Sequence, residues 1–231
     1  MNIGFASGVD SAFIGDFDAL DVEPDRNLPL VTTRNILSGE VQWWRLGVIN
    51  PFLGSGSLDD LRDYPRLQRY LKARWEVIAG RHCAKKASAA WYRTIDKINP
   101  ALAKRPKLLI PDINGEARIV FEGGKLYPHH NLYYVTSDTW ELRALQAVML
   151  SAVTRLFVAA YSTAMRGGCL RFQAQYLRRI RLPHWHSIPD TLRVELVDAA
   201  TRRDRLACNC TVFKVFGLSR KEQSVLEGST E

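Results

Sequence analysis

Residues 137–165 run SDTWELRALQAVMLSAVTRLFVAAYSTAM and contain the most apolar stretch of the chain. Ser137 or Asp138 is placed to cap a helix, and Glu141 follows at the spacing of a capping box. Two arginines and a glutamine interrupt the apolar residues, which favours a buried core helix over a membrane span. We therefore predict one long buried helix near residues 138–165.

Strand and helix patterns flank this stretch on both sides. Two strands are predicted over 107–113 and 117–122, because the Asn114-Gly115 dipeptide between them is a strong hairpin turn. Apolar residues at three- and four-residue steps predict an amphipathic helix over 58–79, with Pro65 near a start or kink. The other main predicted elements are strands over 41–49 and 131–136 and a helix over 190–206. The order of elements predicts an α+β fold in one domain, residues 1–218, followed by a polar, frayed tail, residues 219–231.

The composition narrows the class of protein. The 231 residues are 46% hydrophobic and 24% charged, which excludes a disordered or fibrous chain. Four scattered cysteines are too few for a disulfide framework, and the first residues lack the pattern of a secretory leader, so a cytoplasmic protein is expected. The excess of 32 Lys and Arg over 24 Asp and Glu favours a polyanionic partner, either nucleic acid or an anionic surface. No membrane is expected as a partner, because polar residues interrupt the most apolar stretch.

Basic residues concentrate in two regions. Between residues 62 and 107 there are thirteen Lys or Arg and three acids, with aromatic residues among them. Residues 166–181 hold five arginines and no acid, together with glutamines. Cations can neutralise phosphates while Arg and Gln read base edges, so this mixture favours nucleic acid. A solvated helix face is the alternative for the first region, and composition leaves DNA and RNA both open.

Several segments, in order along the chain, resemble one protein family. They are GFASG (4–8), RHCAKK (81–86), WYRTID (91–96), KLLIPD (107–112), YPHHNLYY (127–134) and MRGGCLRFQAQYLRRI (165–180). They are similar to the C-terminal specificity region, or target-recognition domain, of TaqI-like and Eco-type adenine-specific DNA methyltransferases. The resemblance implies that the chain selects a sequence in double-stranded DNA as part of a restriction–modification system.

The same resemblance implies a division of labour. In the family, a catalytic domain before this region binds S-adenosylmethionine, flips adenine out of the duplex and methylates its amine. We therefore expect no catalytic residue, cofactor or metal in this chain, and expect S-adenosylmethionine in a missing or partner catalytic domain or subunit. A module that docks such a subunit through an apolar surface is a further interpretation.

Candidate DNA contacts follow from the basic regions and the resemblance. The residues predicted to contact phosphates are Lys85, Lys86, Arg93, Arg178 and Arg179. Those predicted to read bases are Arg171, Gln173 and Gln175. Further candidate contacts are Trp91, His129, His130, Asn131 and Arg166, and for His129, His130 and Asn131 structural hydrogen bonding is an equal alternative.

Three motifs suggest other chemistry. The Phe52–Gly56 loop matches the Phe-x-Gly-x-Gly pattern of a methyl-donor loop, so a complete methyltransferase stays an alternative, but no Pro-Pro dipeptide is present for the catalytic motif and a flexible turn is preferred. Asp112 is interpreted as a turn or cap residue, because Arg118 stands where a metal nuclease needs Lys. A zinc site that joins His129 and His130 to cysteines is disfavoured, because the cysteines lack CxxC spacing.

Overall fold

The computed structural model describes residues 1–111, 118–161 and 174–228. Its strands form two four-stranded sheets, and helices surround them, which confirms the α+β class. The first sheet has the order β1 (Asn2–Ile3), β8 (Leu132–Val135), β5 (Lys107–Pro111), β6 (Val120–Glu122). The second has the order β2 (Ile14–Asp16), β4 (Leu46–Ile49), β3 (Asn27–Val31), β7 (Tyr127–Pro128). Of these neighbouring pairs, β3 and β7 run parallel and the others antiparallel.

The predicted hairpin is present as the pair β5 and β6. Lys107 lies opposite Glu122 in this antiparallel pairing, and β8 pairs with the other edge of β5. All five residues of β5 are buried, and the four that follow Lys107 form an apolar run without alternation. The Asn114-Gly115 turn lies outside the described residues.

The prediction of one long helix over 138–165 is wrong. The structure has two helices, α5 (Leu142–Leu150) and α6 (Ala152–Tyr161), bent by 61° at Ser151. The hydroxyls of Ser151 and Thr154 donate to the carbonyl of Val148 at 2.6 and 2.8 Å, which satisfies an acceptor at the break. Within the described ranges no helix alone has the length and apolarity to cross a membrane, and this bent pair has them only in combination.

Three helices of the C-terminal part pack around α5 and α6. They are α8 (Asp190–Arg202), α9 (Arg205–Val215) and α10 (Arg220–Gly228), and the short α7 (Ala174–Leu177) precedes them. The helix predicted over 190–206 ends earlier, because Arg203 adopts a left-handed conformation and Asp204 caps α9. The prediction of a frayed tail is also wrong for the residues up to Gly228. These residues form α10, which buries Leu226 in the largest core cluster.

The N-terminal part carries short helices and the second sheet. The helices are α1 (Asp10–Phe13), α2 (Pro65–Lys72), α3 (Trp75–Ala79) and α4 (His82–Lys85). The helix predicted over 58–79 is therefore two helices, and Pro65 is the first residue of α2, where it needs no N–H partner. The strand predicted over 41–49 shortens to β4, because Arg45 has φ +55° and breaks the extended chain before it.

The described part of the chain has one large core and three smaller ones. The largest lies between α5, α8, α9 and one face of the first sheet, and Val148, Leu196 and Val212 in it are fully buried. A second cluster joins α1 to α2 and α3, a third packs on the second sheet, and a fourth contains residues of both sheets. The first residues of the chain contact both sheets, because β1 pairs with β8 of the first sheet and Phe5 packs in the cluster on the second sheet. These first residues also form part of the candidate site.

Candidate nucleic-acid interface

The N-terminal segment, residues 1–8, connects the two basic regions of the sequence. Its Ala6 N–H donates to Asp96 Oδ2 at 2.9 Å, and the Asp96 N–H donates to the Ala6 carbonyl at 3.1 Å. At its other end, Arg178 Nη2 donates to the carbonyl of Met1. The N-terminal segment therefore contacts both the loop at residue 96 and the residues just after α7.

A cleft of about 540 Å³ lies where these contacts meet. Lys97 of the first basic region and Arg178 of the second both line it. Its other lining residues include Asp96, Tyr127, Tyr133 and Tyr134. Burial raises the pKa of Tyr127 to about 12, so its phenol stays neutral. The cleft therefore has cations beside tyrosine side chains, and the cations suit phosphates.

The predicted phosphate contacts of the first region lie on the surface near α4. Lys85 and Lys86 are exposed at the end of this helix, and within the described residues their ammonium groups have no ion pair. Trp91 is half-buried, packs edge-to-face on Tyr92 at 5.7 Å, and lines a second cavity of about 460 Å³ beside Lys85. Arg93 is half-buried. These side chains remain available for the predicted roles.

Arg81 holds this surface in place, a role that the sequence analysis did not assign. Its guanidinium donates to the carbonyls of Ser7 at 2.6 Å and Arg93 at 2.8 Å. It also donates to the carbonyls of Ile78 and Trp91. The residue therefore fixes the chain around α4 against the N-terminal segment, and its signal in the sequence was only membership of a basic run.

Other cations of the first basic region are already neutralised by acids from elsewhere in the chain. Arg66 and Arg69 both bind Asp21, and Lys107 is fully buried with Glu122, its Nζ at 2.5 Å from Oε2. Two more pairs are Arg62 with Asp60 and Arg105 with Asp138. The region is therefore less uniformly charged than its composition indicates.

The second basic region is described only from residue 174 onward. Arg178 and Arg179 are exposed just after α7, and the Arg179 guanidinium lies 4.8 Å from the centre of the Tyr161 ring. Gln175 is exposed on α7. The remaining candidates, Arg166, Arg171 and Gln173, lie outside the described residues, so their roles stay predictions.

The candidates at the entry to β8 divide into buried and exposed side chains. His129 is 6% exposed, and its Nε2 lies 3.0 Å from Asp10 Oδ2. Asn131 is half-buried and accepts from Thr33, through its side chain at 3.3 Å and its carbonyl at 3.1 Å. His129 and Asn131 thus make hydrogen bonds within the fold, as the alternative to DNA contact predicts. His130, in contrast, is exposed.

The Phe52–Gly56 loop forms a closed turn. Phe52 is buried in a core cluster, while the Leu53 N–H donates to the Ser57 carbonyl and the Gly56 N–H to the Leu53 carbonyl, both at 2.8 Å. Gly56 has φ +80°, which a residue with a side chain rarely adopts. An isolated antiparallel bridge between Phe52 and Leu58 flanks the turn, and the next helix, α2, begins only at Pro65. Of the nuclease pattern, Asp112 lies outside the described residues.

The chain is similar over its length to curated type II methyltransferases. It is 70% identical over 231 residues to M.PaeR7I of Pseudomonas aeruginosa, 53% over 226 residues to M.XhoI of Xanthomonas vasicola, and 42% over 231 residues to M.BstVI of Geobacillus stearothermophilus. It spans 40% of the length of the first relative and 41% of the other two, so it corresponds to part of each. No family model matches the chain.

Two solved structures share the fold. One is the type IIL restriction–modification enzyme MmeI, determined in complex with DNA, with a TM-score of 0.67 and 9% identity; the match covers 98% of this chain and 35% of that one. The other is the type IIG restriction endonuclease BpuSI, with a TM-score of 0.56 and 16% identity; the match covers 92% and 26%. At these identities the likeness concerns the fold alone.

Proposed function

We propose that this chain, which corresponds over its whole length to one part of type II methyltransferases, is the target-recognition region that binds double-stranded DNA and selects its sequence. On this proposal the chain acts within an adenine-specific methyltransferase of a restriction–modification system. The fold shared with MmeI, which was solved bound to DNA, supports DNA as the partner.

One observation carries the proposal. Lys97 and Arg178 belong to different basic regions of the sequence but line the same cleft. Each of these two cations can neutralise one phosphate, and such contacts supply the part of DNA affinity that does not depend on sequence. Lys85, Lys86, Arg93 and Arg179 would extend this contact along the duplex, and Lys97 joins the residues that we propose for it.

Sequence selection is assigned to the residues before and on α7. Arg171, Gln173 and Gln175 carry the side chains that pair with base edges in the major groove, Arg with guanine and Gln with adenine. The exposure of Gln175 on α7 and its place near Arg178 support this assignment.

Methyl transfer is assigned to the rest of the enzyme or to a partner subunit. S-adenosylmethionine would be bound there, and this chain alone would not catalyse. The closed turn at Phe52–Gly56 supports this division, because its Leu53 and Gly56 N–H groups already donate within the turn.

The test is binding of a fluorescent DNA duplex to the 231-residue chain, followed by anisotropy at increasing salt. Affinity that falls steeply with salt is expected, and selection from a randomised duplex pool should enrich one sequence. Arg171→Ala should cost about 1–3 kcal/mol at one base pair, whereas Lys97→Ala should weaken all sequences alike. Absence of binding at low salt, or equal affinity for every duplex, would contradict the proposal.

The alternative of a complete methyltransferase has its own measurement. Equilibrium dialysis of the chain against labelled S-adenosylmethionine should show no saturable binding. Saturable binding that Gly54→Ala abolishes would instead assign the cofactor to the Phe52–Gly56 loop, since a Cβ at Gly54 would meet no described atom within 4 Å.

A further inference from the structure

We propose that Asp10, His129 and His130 form a binding site for a divalent transition-metal ion of the Zn²⁺ class. Each residue offers one ligand atom, and the three atoms lie within 4.8 Å of one another. From the sequence, cysteines were the only metal ligands considered beside His129 and His130. The carboxylate that completes the set comes from a residue 119 positions away from His129.

The backbone around His129 is held by neighbouring segments. Its N–H donates to the Val31 carbonyl at 3.0 Å, and its carbonyl accepts from Leu132 at 2.9 Å. Phe5 packs edge-to-face on the ring at 6.4 Å, and a Cβ on Gly4 would lie only 2.2 Å from the His129 carbonyl oxygen. The N-terminal segment and the entry to β8 are therefore packed closely enough to position a ligand.

The donor set has the chemistry of a transition-metal site. Imidazole nitrogens suit Zn²⁺, Co²⁺ and Ni²⁺, whereas Ca²⁺ and Mg²⁺ prefer oxygen ligands alone. His129 is buried, and its Nδ1 has no hydrogen-bond partner within the described residues.

The geometry needs only a small adjustment to close. Tetrahedral bonds of about 2.0–2.1 Å separate ligand atoms by roughly 3.4 Å. Asp10 Oδ2 and His129 Nε2 are 3.0 Å apart, so these two atoms have to separate by a few tenths of an ångström while the exposed His130 ring approaches them. Three protein ligands would leave one coordination position for water.

Such an ion would tie α1, which begins at Asp10, to the β7–β8 connection. If the ion binds the folded chain and not the unfolded chain, the free energy of unfolding rises by RT ln(1 + [metal]/Kd). The inference is independent of the proposed DNA binding, because it rests on three side chains that need no nucleic acid.

The test uses the metal-free 231-residue chain titrated with Zn²⁺ by calorimetry and with Co²⁺ by visible absorption. We expect one saturable site and a higher melting temperature with Zn²⁺. His130→Ala, which removes an exposed ring, should weaken binding at least ~10-fold, and Asp10→Asn should do the same. The double variant His184→Ala/His186→Ala removes two histidines that lie outside the site and should bind as the parent chain does.

Two results would overturn the proposal. The first is the absence of saturable binding in the parent chain. The second is parent-like affinity in both His130→Ala and Asp10→Asn, which would place the ion elsewhere, for example on cysteines or on the other histidines. Because circular dichroism of each variant is measured in parallel, loss of the fold is distinguished from loss of a ligand.

Discussion

Asp96 and Ala6 exchange two hydrogen bonds, with the Ala6 N–H donating to the Asp96 carboxylate at 2.9 Å and the Asp96 N–H to the Ala6 carbonyl at 3.1 Å. The pair joins the N-terminal segment to the loop that carries Lys97, and residues of this segment and of this loop line the cleft together with Arg178. An acid within a proposed DNA-binding cleft is thus explained by its role in organising the backbone.

Removal of this carboxylate separates its structural role from its charge. Asp96→Ala should lower the free energy of unfolding by about 1 kcal/mol, because it removes the acceptor of the Ala6 N–H. It should also weaken DNA binding, although the loss of a negative charge alone would strengthen it. Urea unfolding and duplex anisotropy measure the two effects. Asp138→Ala makes the same charge change at an exposed ion pair, and tighter DNA binding by Asp96→Ala than by this control would contradict the structural role.

Lys85 is predicted to contact a phosphate without reading sequence. Lys85→Ala should weaken binding to specific and unrelated duplexes by the same factor and reduce the slope of log K against log salt by about one. Lys214→Ala is a matched control, because it removes the same charge from a lysine that Glu195 already neutralises at 3.0 Å. Equal slopes for the Lys85 variant and the parent chain would exclude the contact.

The buried pair of Lys107 and Glu122 should be far more sensitive to single than to double substitution. Lys107 is fully buried and also donates to the Leu126 carbonyl at 3.1 Å, and burial lowers the pKa of its ammonium group. Lys107→Met should cost about 3–5 kcal/mol, because it leaves the Glu122 charge buried without a partner. The double variant Lys107→Met/Glu122→Leu should recover much of that loss. Guanidinium unfolding tests this, and additive losses would show that the pair is not coupled.

Cysteine reactivity should distinguish a buried thiol from an exposed one. Cys208 is fully buried in the largest core cluster, and burial raises the pKa of its thiol to about 11. The thiol is protonated below that pH, so at pH 8 only about one molecule in a thousand carries the reactive thiolate. Alkylation followed by peptide mass spectrometry should modify the exposed Cys210 first and Cys208 only after denaturation. Rapid native modification of Cys208 would show that the helices around it open readily.

Sequence patterns predicted the elements whose signals are local. The β5–β6 pairing followed from the turn between them, and Pro65 marked the first residue of α2. The predictions failed where a single side chain or backbone angle interrupted a longer pattern. Apolar periodicity continues through Ser151, but hydroxyl donation to Val148 accommodates a bend there. Arg45 adopts a positive φ that no sequence rule for its residue type indicates.

The candidate site was predictable in composition but not in arrangement. Both basic regions were evident in the sequence, and exposed members of each, Lys85 and Arg178, remain in the proposed interface. The burial of His129 against Asp10 and the structural use of Arg81 were not evident, since the partners Asp10 and Ser7 lie far from these residues in the chain.

The sequence by itself determined the fold class, the hairpin and the two concentrations of positive charge, because these depend on residue type and short-range spacing. Tertiary structure alone decided which cations remain available for a ligand. That outcome depends on contacts between residues far apart in the chain, such as Ala6 with Asp96, ninety positions away, and Lys107 with Glu122 in the core. An arginine or lysine neutralised by a distant acid has the same sequence pattern as an unpaired one, and only packing brings the acid within bonding distance.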